Sequence, residues 1–315
     1  MTRDQDPDFQ AILEELTGGG SFGSIEEANR VMEARVREYN ARPQAELGGL
    51  SPDRMIQLLN GDWMTDGAVR LDARLTLDDL AGAPILADAR TLLEYFQTEG
   101  PVKETAAGFL PRAVVAALRP RLRMPRVSHI FRNFLFTTSV NEGDVPWLPD
   151  LRHALIFGKL LVRRKGLRTT PLGRELLSPD RAGELYAHIF RTFFRVLDLS
   201  VLDGPGDNRG LQATLGYSFY KLESLTRQWK SPQTLAQMAW LESAKDPPDQ
   251  RDFGNRDRRY YAFKHRVLDP LVQFGLLEIR PTPGEDPRMR EVQYRRTPLF
   301  ARFLRFQFES PPRGP

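Results

Sequence analysis

The sequence of 315 residues contains no cysteine, which excludes disulfides, thiolate nucleophiles and zinc sites built on thiolates. It also lacks any apolar run near the roughly 18 residues that a membrane-spanning helix needs. The first eight residues carry four charges and no apolar segment typical of a signal peptide. We therefore expect a cytoplasmic protein that has no membrane partner.

Motifs for catalysis are also scarce. No Asp or Glu stands two residues before any of the seven lysines, so the common D/E-x-K nuclease motif is absent. Residues 19–23 match G-x-S-x-G, but a nucleophile elbow needs a strand before the serine, and residues 9–16 have a helical pattern. The four histidines lack metal-ligand spacing, and the aspartates between 62 and 79 lack calcium-loop spacing. We predict a protein that is not an enzyme and needs no cofactor.

The net charge of +4 is divided unevenly along the chain. Residues 1–100 carry a net charge of −10, and residues 101–174 carry +10. Blocks of opposite charge are typical of domains that have different partners or that face each other. All but seven of the 45 basic residues are arginine, a bias that genome composition produces as easily as phosphate binding.

Hydroxyl-proline pairs mark the predicted helix starts, because they combine an N-cap with a proline at the first helical position. These pairs are Ser51-Pro52, Thr170-Pro171, Ser178-Pro179, Ser231-Pro232 and Thr297-Pro298. Ser24 with Glu27, and Thr76 with Asp79, predict capping boxes. Apolar periodicity predicts helices near 8–16, 25–40, 52–60, 86–97, 109–118, 149–157, 182–200, 211–228, 232–243 and 255–268, with an irregular stretch at 61–84.

One stretch of sequence occurs twice. Residues 157–172 read FGKLLVRRKGLRTTPL, whereas residues 274–299 begin FGLLEIR and end YRRTPL. Both copies fit the same order of elements. A helix ends at a glycine in the left-handed conformation, Gly158 or Gly275, and two short strands follow, after which Thr-Pro begins another helix. The turn between the strands is ten residues longer in the second copy, which the tip of a hairpin tolerates.

A helix, a two-stranded wing and a further helix resemble the second half of a winged-helix domain. The phrase at 167–176 is similar to the strand-to-helix phrase of bacterial winged-helix regulators, and residues 91–118 with this phrase resemble an uncharacterised class of bacterial proteins. The resemblance implies a mainly α protein with two winged-helix units and short β-hairpin wings. The expected organisation is an acidic helical N-terminal region at 1–84, a first winged-helix unit at 85–178, a connecting core helix and loop at 179–210, a second unit at 211–306 and a tail at 307–315.

The resemblance also implies binding of double-stranded DNA, since the third helix of such a domain enters the major groove and the wing touches the backbone or the minor groove. Arginine suits both tasks, because its planar guanidinium pairs with guanine or clamps phosphate. The expected DNA contacts of the first unit are Arg121, Arg123, Arg126, Arg132, Arg152, His153, Lys159, Arg163, Arg164, Lys165 and Arg168. Those of the second unit are Arg258, Arg259, Lys264, Arg266 and Arg290.

Two questions stay open from the sequence. Asp269-Pro270 either kinks the second groove helix or restarts it with Asp269 as the cap, which favours the first unit as the DNA reader. Winged helices also serve as docking and dimerisation modules, so an interaction scaffold and a homodimer remain alternatives to a DNA-binding transcriptional regulator or architectural factor. The phenylalanines at 131, 134, 136, 190, 193 and 194 are expected in the core rather than stacked on bases.

Overall fold

The computed structural model describes residues 24–123, 140–145, 147–202, 209–244, 258–283 and 291–309. This part of the chain is mainly helical and contains three small antiparallel strand pairs. The chain divides into two compact units, one made of residues 1–57 with 308–315 and the other of residues 58–307. Across the described ranges, every helix is too short or too polar to cross a membrane.

The helices and strands follow one another along both units. The helices are α1 (Ile25–Ala41), α2 (Pro52–Leu59), α3 (Pro84–Thr98), α4 (Arg112–Leu118), α5 (Leu148–Phe157), α6 (Pro171–Leu176), α7 (Ala182–Arg191), α8 (Arg209–Ala213), α9 (Leu215–Leu225), α10 (Pro232–Ala239), α11 (Arg258–Phe263), α12 (Asp269–Gln273) and α13 (Pro298–Phe303). The strands are β1 (Val69–Leu71), β2 (Leu161–Arg163), β3 (Leu167–Thr169), β4 (Leu277–Pro281), β5 (Val292–Arg296) and β6 (Leu304–Phe306).

Most predicted helix starts are confirmed, and three of the five expected hydroxyl caps form. The side chains of Ser51, Thr170 and Ser231 each accept a backbone N–H bond from the residue three positions later. Ser178 precedes a 3-10 turn without capping it, and the Thr297 hydroxyl donates to the Gly275 carbonyl instead. The helix predicted near 8–16 lies outside the described residues.

The stretch at 61–84, predicted to be irregular, contains strand β1. It pairs antiparallel with β6, so that Val69 faces Phe306 and Leu71 faces Leu304. Thr76 and Asp79 exchange the two hydrogen bonds of a capping box, but they do so in a turn. A strand of three residues whose partner lies near the far end of the chain leaves no local pattern, and the prediction therefore missed it.

The first copy of the repeat is α5, β2, β3 and α6. Strands β2 and β3 form a hairpin in which Leu161 faces Thr169. Thr170 then ties the hairpin to the end of α5, since its N–H donates to Leu160 O at 3.0 Å and its hydroxyl donates to Lys159 O at 2.8 Å. Val102 exchanges two backbone bonds with Leu167, which places a third extended segment beside β3.

The second copy repeats these bonds at equivalent positions. Its hairpin, β4 and β5, pairs Leu277 with Arg296. The Thr297 N–H donates to Leu276 O at 2.9 Å, and its hydroxyl donates to Gly275 O at 2.7 Å. Lys230 and Tyr294 exchange two backbone bonds, as Val102 and Leu167 do in the first copy. The sequence repeat is therefore also a repeat of backbone hydrogen bonds.

The left-handed residue of the first copy is Lys159, and the prediction that Gly158 adopts this conformation is wrong. Gly158 has φ −73°, whereas Lys159 has φ 58° and its equivalent Gly275 has φ 70°. The two Phe-Gly pairs are therefore offset by one position in the fold. Gly158 is needed for close packing instead, because a Cβ there would lie 3.0 Å from both Ala154 O and Thr192 Oγ1.

The helix that contains Asp269 and Pro270 is not restarted at that point. It runs from α11 through a π-helical turn at Lys264–Leu268 into α12, and Asp269 has a helical φ of −62°. The alternative in which Asp269 caps a new helix is therefore wrong. The π turn accommodates the missing N–H of Pro270. Every residue from 266 to 277 is buried, so the end of this helix lies in the interior.

The centre of the larger unit is α7, which continues into a second π turn at Thr192–Val196. Its Phe190 ring lies 5.0 Å from the ring of Phe274 and 5.1 Å from that of Phe303. Phe190, Phe193 and Phe194 are almost fully buried, which confirms their expected place in the core. The phenylalanines at 131, 134 and 136 lie outside the described residues.

Two side chains of α7 hold the two copies of the repeat. The Tyr186 hydroxyl donates to the carbonyl of Phe274, and His188 Nε2 lies 2.7 Å from the carbonyl of Gly158. These carbonyls are equivalent, because each belongs to the residue directly before the left-handed one. One helix thus anchors the same point of both copies.

Replacing Tyr186 with Phe tests this anchor. The change keeps the buried ring but leaves the Phe274 carbonyl without its donor, and we expect a loss of about 1–3 kcal/mol in the free energy of unfolding. Urea denaturation of the full chain measures the loss. Tyr95→Phe is the matched control, since the Tyr95 hydroxyl has no hydrogen-bond partner among the described residues. Equal stability of the two variants would contradict the anchoring role.

Candidate functional site

Five basic side chains cluster around the first hairpin. Lys159 precedes β2, Arg163 ends it, Arg164 and Lys165 form the turn, and Arg168 lies in β3. The turn is tight because Lys165, with φ 58°, and Gly166, with φ 120°, both adopt positive φ. All five side chains are exposed, and we call them the first-hairpin surface.

Four of these five charges are uncompensated. The Arg163 Nε donates to Glu104 Oε2 at 2.9 Å, which neutralises one cation. Within the described part of the chain, the other four side chains form no ion pair with a carboxylate. The hairpin therefore projects a concentrated positive charge into solvent, which suits a polyanionic ligand.

Arg152 does not belong to this surface, and its predicted DNA contact does not hold. Its side chain is almost fully buried, and its Nε donates to Glu142 Oε1 at 2.6 Å. A second ion pair joins it to Glu104, and its Nη2 donates to the carbonyl of Gly108 at 3.1 Å. Glu142 also accepts the Leu110 N–H at 2.8 Å. Arg152 is therefore a structural cation that ties α5 to the segment before α4.

The outward face of α5 carries little positive charge. Asp150, His153 and Phe157 follow helical spacing on one face, and Phe157 is 54% exposed. Burial lowers the pKa of His153, and the charges of Arg152 and Arg163 lower it further, so the imidazole is neutral at pH 7. Burial and the nearby charge of Glu142 raise the pKa of Asp150 to about 6. This face therefore offers few donors to a phosphate or a base edge.

The basic insert after α4 is only partly described. Arg121 is half-exposed and lies 3.5 Å from a Glu94 carboxylate oxygen. Arg123 has an exposed side chain, and its backbone N–H donates to the buried carboxylate of Asp88 at 2.6 Å. Arg126 and Arg132 lie outside the described residues. The start of the insert thus adds exposed charge, anchored through its backbone on α3.

Two of the five sites expected in the second copy are withdrawn from solvent. Arg266 is buried, and Lys264 is largely buried and pairs with Asp269 at 2.6 Å. A predicted DNA contact by Arg266 therefore does not hold, because the helix end that carries it is in the interior. Arg258 and Arg259 lie in α11, but their side chains are outside the described residues, as is Arg290.

The second hairpin carries an aromatic and arginine cluster, of which the sequence indicated Arg295 as a basic wing residue but not Arg280 or Trp229. Arg280 and Arg295 each place a guanidinium carbon 4.6 Å from the centre of the Trp229 ring. Alignment of the two copies was the available signal, since Arg280 occupies the position of Arg164 and Arg295 that of Arg168.

Comparison with known proteins identifies one similarity. Residues 81–183 match the family model of the Y4jL N-terminal domain. The match covers about a third of the chain and includes the whole first copy of the repeat with α3 before it. It confirms the expected similarity to an uncharacterised bacterial-type family and brings no activity with it. Neither curated proteins nor solved structures matched the chain.

The raised pKa of Asp150 predicts a pH-dependent stability. A carboxyl whose pKa is higher in the folded state destabilises the fold increasingly as pH rises from about 4 to about 6. Asp150→Asn should therefore raise the free energy of unfolding by roughly 1–2 kcal/mol at pH 8, and the gain should vanish near pH 4. Thermal unfolding across this range measures the difference. Asp78→Asn removes an exposed carboxylate as a control, and an equal effect of both changes would contradict the burial of Asp150.

Proposed function

We propose that residues 85–178 form a winged-helix unit that binds double-stranded DNA. The order of elements supports this topology: α3, the extended segment at Val102, α4, α5, and then the hairpin of β2 and β3. A short strand between the first two helices that pairs with the second hairpin strand is the arrangement that a winged helix requires. The Val102–Leu167 bridge supplies this pairing.

The observation that carries the proposed DNA binding is the uncompensated charge of Lys159, Arg164, Lys165 and Arg168. These side chains surround a two-stranded hairpin, the element that forms the wing of a winged helix. Arginine and lysine in such a position neutralise phosphates and release condensed counterions. At the start of the basic insert, the exposed Arg123 adds further positive charge to the same unit, whereas Arg121 is paired with Glu94.

The helix α5 does not favour readout of bases, so the proposed contact lies on the hairpin. Its outward side chains are Asp150, His153 and Phe157, none of which is a bidentate donor to guanine. We therefore propose a regulatory or architectural role in which the first hairpin grips phosphates with low sequence selectivity. Affinity should fall steeply with salt and vary little among duplex sequences.

A triple substitution tests this proposal. Arg164→Gln, Lys165→Gln and Arg168→Gln together should weaken duplex binding and reduce the slope of log K against log salt by about 0.9 for each phosphate that the variant no longer neutralises. Fluorescence anisotropy of a labelled duplex at several salt concentrations measures both quantities.

The matched control is the triple variant Arg30→Gln, Arg42→Gln and Arg74→Gln, which removes the same charge from exposed positions outside both copies of the repeat. If both variants lose equal affinity, only the net charge matters and the hairpin assignment fails. If the wild-type chain binds no duplex at low salt, the proposed function itself is wrong.

The second candidate is an interaction module, and the exposed Phe157 at the end of α5 favours it. An apolar side chain on the helix that would otherwise read DNA suits a protein partner, including a second copy of the chain. Phe157→Ser should then convert a dimer to a monomer in light scattering and leave duplex affinity unchanged. A monomeric wild-type chain would contradict self-association, and a large loss of DNA affinity would assign Phe157 to the DNA contact instead.

A further inference from the structure

The second hairpin and the segment at Trp229 form one partly exposed face. The Lys230–Tyr294 bridge places Trp229 beside Arg295, and the register of the hairpin places Arg295 beside Glu278 and Arg280 beside Gln293. Since Tyr294 is buried, its neighbours Gln293 and Arg295 point to the opposite, outer face. We call Trp229, Glu278, Arg280, Gln293 and Arg295 the second-hairpin surface.

Trp229 holds both arginines of this surface in place. Each guanidinium lies 4.6 Å from the ring centre, within the range of a cation–π contact. Arg280 is also fixed by Gln293, whose Oε1 accepts from its Nε at 3.0 Å and from its Nη2 at 2.8 Å. Both side chains have therefore lost much of their rotamer freedom before any ligand binds, which lowers the entropic cost of binding.

The charge of this surface is only partly compensated. Arg295 donates to Glu278 at 2.8 Å, so that pair is neutral. Arg280 is bound by the amide of Gln293, which accepts hydrogen bonds but carries no charge, and it forms no ion pair within the described ranges. An ordered and uncompensated guanidinium next to a second one is a suitable receptor for phosphate oxygens.

The same pair of arginines occurs on both hairpins. Arg164 and Arg280 are each the fourth residue after the leucine that accepts the Thr N–H bond, Leu160 or Leu276. Arg168 and Arg295 each precede that threonine by two positions. The repeat thus places cations at two equivalent hairpin positions, and in the second copy it adds an aromatic ring that orders them.

From these observations we propose that the second-hairpin surface is a second site for the phosphate backbone of duplex DNA, with Arg280 and Arg295 as its contacts and Trp229 as their positioning residue. The inference rests on the proposed function and extends it, because the chain then grips DNA through two hairpins. The burial of Arg266 means that the second copy contributes its hairpin rather than the end of its long helix.

The test compares variants of the full chain by anisotropy with a labelled duplex. Arg280→Gln with Arg295→Gln should weaken binding and reduce the salt slope by at least about 0.9, the value for the one phosphate that the uncompensated Arg280 neutralises. The double variant Arg42→Gln with Arg74→Gln is the control for net charge. If the hairpin variant matches this control while the first-hairpin triple variant loses affinity, the second site is wrong and the proposed function stands.

Substitution of Trp229 should change the affinity without changing the salt slope. Trp229→Leu keeps both charges, so it should raise Kd several-fold while the salt slope stays unchanged, and Trp229→Tyr should restore most of the affinity. An unaltered Kd in a folded Trp229→Leu variant would overturn the positioning role. Thermal unfolding establishes that each variant is folded, and the arginine double variant decides the site if the leucine variant does not fold. Absence of duplex binding by the wild-type chain would overturn both proposals together.

Discussion

The larger unit depends on one helix that contacts the same backbone carbonyl in both copies of the repeat. Tyr186 and His188, both on α7, hydrogen-bond to the carbonyls of Phe274 and Gly158. Each carbonyl lies one residue before the left-handed position that turns the chain from helix into hairpin. The orientation of both hairpins is therefore set from the core, where an unsatisfied carbonyl would be costly. A unit built in this way has no independent copies of the repeat, because each one completes its core against the shared helix.

This shared core explains why two similar sequences present different surfaces. The helix of the second copy runs into the interior, and its residues from 266 to 277 are buried, whereas in the first copy Phe157 at the end of α5 is exposed. The basic side chains of the first hairpin are exposed, and Arg280 and Arg295 of the second are partly exposed. Two cations on the helices that precede the hairpins are instead held in internal ion pairs, Arg152 with Glu142 and Lys264 with Asp269.

The sequence predicts the elements of this fold well and their tertiary contacts poorly. The hairpins and helix starts carry local signals, such as the Thr170-Pro171 cap and the Lys165-Gly166 turn, and these are confirmed. Strand β1 carries none, because only its distant partner β6 makes it a strand. The handedness of Lys159 was missed for a related reason. The Phe157-Gly158 pair suggests a glycine cap at Gly158. The Thr170 hydroxyl, however, donates to the Lys159 carbonyl, as the Thr297 hydroxyl donates to that of Gly275, so Lys159 is the residue equivalent to Gly275.

The sequence also does not predict which basic residues of the candidate site form ion pairs in the folded chain. Sequence spacing alone does not distinguish a buried arginine such as Arg152 from an exposed one such as Arg164. Both belong to the first copy, Arg152 in its expected groove helix and Arg164 in its expected wing. The distinction comes from Glu104 and Glu142, which lie 48 and 10 positions from Arg152 and meet it only in the folded chain. Glu104 also pairs with Arg163, so the carboxylate that fixes the buried cation removes one charge from the hairpin. Among the described hairpin residues, the cations without a carboxylate partner are Arg164, Lys165 and Arg168 in the first copy and Arg280 in the second.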